Sequence, residues 1–187
     1  MRPISLVVLL PVLMAACGEL NPLPRPSSEN KPDTVSLYAL HGTPVSSPSA
    51  YSLQFVSVIR PDQTSAFDFA FDIDSTGRPV LLTTGALKLG RASGIQLTTT
   101  PFDSIKIAPT GGYQLDSAVV VDTNSVAILH SVPTPCIFSQ ASFVFYAKLR
   151  VVAIDTASTA NGRRIDLIIL TDQNCGYRGL EPGLPKR

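Results

Sequence analysis

Residues 66–84 read AFDFAFDIDSTGRPVLLTT. Phe67, Phe69, Phe71 and Ile73 recur at every second position, with Asp68, Ala70 and Asp72 between them. In extended chain, alternate side chains point to opposite faces, so this run predicts a strand with one buried face. Asp74-Ser75-Thr76-Gly77 follows as a turn, in which Gly77 can take positive φ without a steric penalty. Residues 80–84 are the return strand, and the whole stretch predicts a β-hairpin.

The same grammar extends outward. Short apolar runs at 35–40 and 51–59 predict two strands before the hairpin. After it, 86–89 with 95–98 and 118–121 with 126–129 predict two further hairpins, and 105–107 another short strand. The run 142–154 predicts the longest strand, with Phe143, Phe145, Ala147, Leu149, Val151 and Ala153 on one face. Asn161-Gly162 favours a tight turn into a last strand at 165–171, and 176–187 reads as irregular. Glu and Lys are scarce, Ser, Thr, Val and Ile abundant, and 12 Gly and 16 Pro punctuate the chain. This balance argues against long amphipathic helices. Many short strands with frequent turns predict an all-β fold, an antiparallel β-sandwich ahead of a barrel or a partial propeller-like sheet.

The N-terminus has a different character. Arg2 precedes an apolar run over residues 4–13, roughly half of the 20 residues that span a bilayer. A short apolar run ending in small residues predicts a cleaved export signal. Met14-Ala15-Ala16-Cys17 resembles the bacterial lipobox, with Met in place of the usual Leu. The resemblance implies a diacylglycerol on the Cys17 sulfur and cleavage by signal peptidase II before it. It also implies outer-membrane sorting, because Gly18 stands where Asp would favour inner-membrane retention. The competing reading is ordinary signal peptidase cleavage, which leaves Cys17 removed or a plain thiol.

The expected organisation is a signal over residues 1–16, a lipidated cysteine and tether over 17–34, and one β domain over 35–187. The tether, with its prolines and few apolar residues, predicts an extended spacer reaching about 50 Å at 3.1 Å per residue. Lys and Arg number 15 against 14 Asp and Glu, and loss of Arg2 leaves the mature side chains balanced. A balanced chain without basic runs gives no footprint for nucleic acid. The expected location is the cell envelope, on the membrane holding the Cys17 acyl chains.

Cys136 and Cys175 remain, 39 residues apart. An even pair in an oxidising compartment predicts a disulfide, with free thiols or a metal pair as alternatives. Chemistry is harder to find. Asp72 and Asp74 begin a D-x-D-x-x-G pattern seen in calcium loops, but Thr83 stands where the bidentate Glu belongs. They are weak metal candidates, and a plain hairpin turn explains them equally. His41 and His130 are isolated histidines with no G-x-S-x-G elbow in the chain. Tyr113 and Tyr177 lie in Gly-rich loops, as exposed glycan platforms or as anchors packed on the core. No catalytic set and no cofactor motif is expected. The expected role is binding or scaffolding with an unidentified protein or glycan partner. The alternatives are a glycan- or calcium-dependent adhesion module and, behind it, a hydrolase.

Overall fold

A computed structural model describes residues 23–136, 139–159 and 162–186. It is an antiparallel β-sandwich. The strands are β1 (Pro32–Tyr38), β2 (Ala50–Ser52), β3 (Ser57–Ile59), β4 (Phe69–Ile73), β5 (Pro79–Thr83) and β6 (Gly94–Thr98). Then follow β7 (Ala118–Val120), β8 (Val126–His130), β9 (Thr134–Cys136), β10 (Ser139–Phe143), β11 (Tyr146–Asp155) and β12 (Arg164–Asp172). One five-stranded sheet has the order β1-β12-β11-β8-β6, the other β3-β2-β4-β5-β7. A separate β9–β10 ribbon stands at one end.

The core lies between the two sheets. Leu37, Leu129, Ala147, Leu149, Val151 and Leu167 face it from one side. Tyr51, Phe69, Phe71, Leu81 and Val119 face it from the other. Each large apolar side chain buried here contributes about 1.5–3 kcal/mol, which is what holds the sheets together. The outer face of the first sheet carries a second apolar layer. Residues 99–113, with a 3-10 turn at Phe102–Ser104, and the C-terminal tail cover it through Phe102, Ile105, Ala108 and Leu180.

Register defines two ends. Pro32, Asp172, Tyr146, His130 and Gly94 line up at one end of the first sheet. Asp68 of the second sheet meets Val132 there. Cys136 and Cys175, joined with a Cα–Cα distance of 6.2 Å, also lie at this end. We call it the tied end. The opposite, loop end carries the 39–49, 74–78 and 121–125 connections, with residues 156–159 and 162–163.

Several expected strands are rearranged. The run 51–59 is two strands, because Leu53–Val56 turns back with Val56 at φ 48°. Residues 86–89 form a hydrogen-bonded turn, and β6 pairs with β8 instead of with them. β7 and β8 are not a hairpin: β7 joins β5 while β8 joins β11, so residues 121–125 cross between the sheets. Asn124 takes φ 71° at this crossing, a conformation Asn tolerates better than most residues. The long run at 142–154 breaks at Val144-Phe145. A bulge between Val151 and Ala153 then exposes Val152 and turns Ile154 towards the core. β4 is buried on both faces, since Ala70 packs with Ala50 and Phe67 on the side expected to meet solvent.

The N-terminal segment departs most from its expectation as a spacer. β1 begins at Pro32, and residues 24–30 are fastened to the C-terminal tail. Ser27 and Ser28 donate their backbone N–H groups to Asn174 Oδ1 at 2.8 and 3.1 Å, and Asn174 Nδ2 returns a bond to Ser28 O. Asn30 exchanges two backbone hydrogen bonds with Gly183, and its Nδ2 donates to Gly179 O and Glu181 O. Only residues 17–22 of the expected tether, Cys17 included, lie outside the described residues.

Candidate functional site

The loop end holds the one histidine–carboxylate pair among the described residues. Leu40 N donates to Phe71 O, and Ala39 N donates to Arg163 O, which fixes the chain leaving β1 against β4. His41 N then reaches Asp72 Oδ1 at 3.2 Å, and His41 Nδ1 lies 2.6 Å from Asp72 Oδ2. Arg163 Nε donates to His41 O at 2.8 Å. The Asp72 side chain is only 9% exposed, whereas the His41 ring is 83% exposed. A carboxylate at Nδ1 selects the tautomer with its proton there, leaving Nε2 as an acceptor towards solvent. That is the orientation of a general base or a metal-bound imidazole.

The other members of such sites are engaged elsewhere. Thr43 Oγ1 donates to Ala39 O and Ser49 Oγ to Ser47 O, so neither hydroxyl is bonded to the imidazole. Among the described residues, no three His, Cys, Asp or Glu side chains come together to hold a metal. Asp74 sits in the turn that sequence predicted. Its Oδ1 accepts from Thr76 N, Thr76 Oγ1 and Arg78 N, and its Oδ2 accepts from Arg78 Nε. These bonds, with Thr76 foremost, hold its pKa far below the usual carboxylate range. Gly77 takes φ 83° to close the turn. Asp72 therefore serves His41 and Asp74 serves the hairpin.

Of the two tyrosines, Tyr177 is buried and donates its hydroxyl to Pro24 O at 3.0 Å, anchoring the N-terminal segment. It has no exposed ring face for a glycan. Tyr113 donates to Pro109 O and packs edge-on against His130, with ring centroids 4.6 Å apart. Burial raises its pKa. His130 Nδ1 lies 2.9 Å from Ser131 O, and its ring also neighbours Tyr146. Gly94 is required beneath this cluster, since a Cβ there would collide with the His130 ring and Tyr113. His130 is thus a packed histidine on the covered face, with no carboxylate among the described residues bonded to it.

Two functional-looking groups escaped the sequence reading. Lys148 is almost fully buried on the outer face of β11. Its Nζ donates to Phe102 O and Ile105 O, both at 2.9 Å, and lies 4.6 Å from the Phe102 ring centroid. Burial lowers its pKa. The ammonium supplies donors to carbonyls that a short turn leaves open, and so pins the covering segment to the sheet. Asp68 is buried beside the core. Its Oδ2 accepts from Leu53 N at 2.7 Å and its Oδ1 from Val132 N at 2.9 Å, and Ser93 Oγ donates to its backbone oxygen. Burial raises its pKa against the opposing pull of those bonds.

A shallow open depression between β6 and β8, lined by Leu97, Thr98, Thr99, Ser125 and Val126, carries no titratable side chain. Among the described residues, no helix is long and apolar enough to cross a membrane. No known protein family, curated protein or solved structure matches the chain.

Proposed function

We propose that this protein is an exported lipoprotein. Acyl chains on Cys17 hold it to the cell envelope, at the outer membrane, and its β-sandwich binds or scaffolds a partner without catalysis. The anchor part of the reading rests on Met14-Ala15-Ala16-Cys17. The non-catalytic part rests on one observation: among the described residues, no hydroxyl is bonded to the imidazole of the His41–Asp72 pair. An oriented imidazole without a nucleophile is half of a catalytic set. The loop end is the recognition surface, because its exposed connections are carried on a rigid sheet frame.

Two measurements test this reading. Replacing Cys17 with Ser releases the protein into the soluble fraction. Persistence of the variant in membranes after a high-salt wash contradicts the anchor. Calorimetric titration with calcium and with a glycan panel gives flat traces. Saturable heat with either moves the protein into the adhesion class, against the engagement of Asp74 and the burial of Tyr177.

A further inference from the structure

The docked N-terminal segment decides how an anchored domain stands on its membrane. Leu23 is six residues beyond Cys17, a reach of about 20 Å even when fully extended. β11, with 10 residues, is about 33 Å long. Six residues reach less far than the sandwich is long, so the loop end cannot meet the anchor point while the tied end stays away. Beside the docked segment, the tail and its neighbour expose Ile107 (65%) and Leu184 (53%). Arg25, Lys31, Lys106 and Lys186 are exposed on the same layer. Two of these lysines pair with acids, Lys31 with Glu29 and Lys106 with Glu181, while Arg25 and Lys186 make no ion pair among the described residues. The loop end exposes Asp122 and Asp155, together with Arg78 and Val45.

We propose that the layer built from residues 23–31, 105–108 and 181–186 is a bilayer-contacting surface. On this surface Ile107 and Leu184 meet the interfacial region, and Arg25 and Lys186 meet anionic headgroups. Basic side chains near an anionic leaflet are attracted to it, and exposed apolar side chains bury at its boundary. The proposal rests on the lipid-anchor reading. Because the layer lies on the outer face of the first sheet, it leaves the second sheet, with His41 bonded to Asp72 of β4, facing away from the membrane.

The test uses full-length protein purified from membranes and reconstituted into vesicles of phosphatidylglycerol and phosphatidylethanolamine. Lys31, Lys106 and Lys186 are labelled with a water-soluble acetylating reagent, and His41 with diethylpyrocarbonate. Soluble Cys17→Ser protein mixed with the same vesicles is the reference. The expected result is severalfold slower acetylation of the three lysines in the anchored protein, with His41 unchanged. Charge reversal by R25E and K186E, which replaces exposed side chains, restores lysine labelling towards the reference. Equal lysine labelling in anchored and soluble protein, or protection of His41, overturns the proposal. The mass of the N-terminal peptide separates the two readings: absence of a diacylglyceryl group overturns the anchor itself. A lipidated peptide with unprotected lysines overturns only the orientation.

Discussion

The two ends of this sandwich are held by different means. At the tied end, segments distant in sequence are joined by buried groups: Cys136 to Cys175, Asp68 to Leu53 and Val132, and Asn30 and Asn174 across the N-terminal segment and the tail. At the loop end the bonds are mostly local and wet: Asp74 with Thr76 and Arg78, Asp122 N with Ser125 Oγ, Ala157 N with Asp155. The bonds of His41 to Asp72 and Arg163, and backbone bonds such as Ala39 to Arg163 and Leu40 to Phe71, reach across it. A buried hydrogen bond that loses its partner costs the full desolvation of the orphaned group, whereas an exposed one is replaced by water. One end is therefore built to stay shut, and the other has the freedom a recognition surface needs.

This contrast can be broken in graded steps. Replacing Cys136 and Cys175 with Ser should have the largest effect, about 4 kcal/mol from the loop entropy of a 39-residue crosslink. Thermal unfolding reads it, and an unchanged Tm would deny the bridge its role. Asp68→Ala, which strands the buried Leu53 N–H and the half-buried Val132 N–H, should cost about 2–4 kcal/mol. Asn30→Ala should cost about 1–2 kcal/mol and raise proteolysis within residues 23–31. His41→Ala at the loop end should change stability by less than about 0.5 kcal/mol, since its ring is exposed.

Acid should act on the two ends with opposite signs. Burial raises Asp68 and Asp172, so the folded state holds their protons more tightly than the unfolded chain does. Their contribution is fully present below the ordinary Asp pKa of about 3.8 and is lost as pH rises through their folded values. Asp74 is lowered by its turn bonds, so its contribution is present above about 3.8 and lost as pH falls towards its folded pKa. Amide exchange followed from pH 5 downward should loosen Thr76 and Arg78 first, while Leu53 and Val132 stay protected. Simultaneous loss at all four amides would erase the distinction.

Much of this was legible in the chain, and the misses share a physical cause. The 66–84 hairpin and the β11–β12 pair announce themselves because alternation and turn chemistry are local signals. The β7–β8 crossing does not, because a four-residue turn between apolar runs looks the same whether the runs pair or part. The Val151/Ala153 bulge breaks a period that the residue types alone continue. Lys148 and Asp68 read as solvent-facing charges because their partners are backbone groups more than 40 residues away in the case of Lys148, and up to 64 away in that of Asp68. The segment 24–30 reads as a spacer because Pro, Ser and Asn build no core, yet Asn30 and the backbone at Ser27 and Ser28 are what the tail bonds. His41 meets Asp72 across 31 residues, a proximity that no spacing rule announces.

The most direct test of the account is amide exchange at Ser27, Ser28 and Asn30 in the folded protein at neutral pH, referenced to Thr76. A docked segment predicts that these three amides exchange far more slowly than Thr76, and that Asn174→Ala brings Ser27 and Ser28 close to its rate. If all three exchange as fast as Thr76 in the unaltered protein, residues 17–31 are a free spacer. The domain then regains its long reach, and the layer of residues 23–31, 105–108 and 181–186 is no longer held against the membrane.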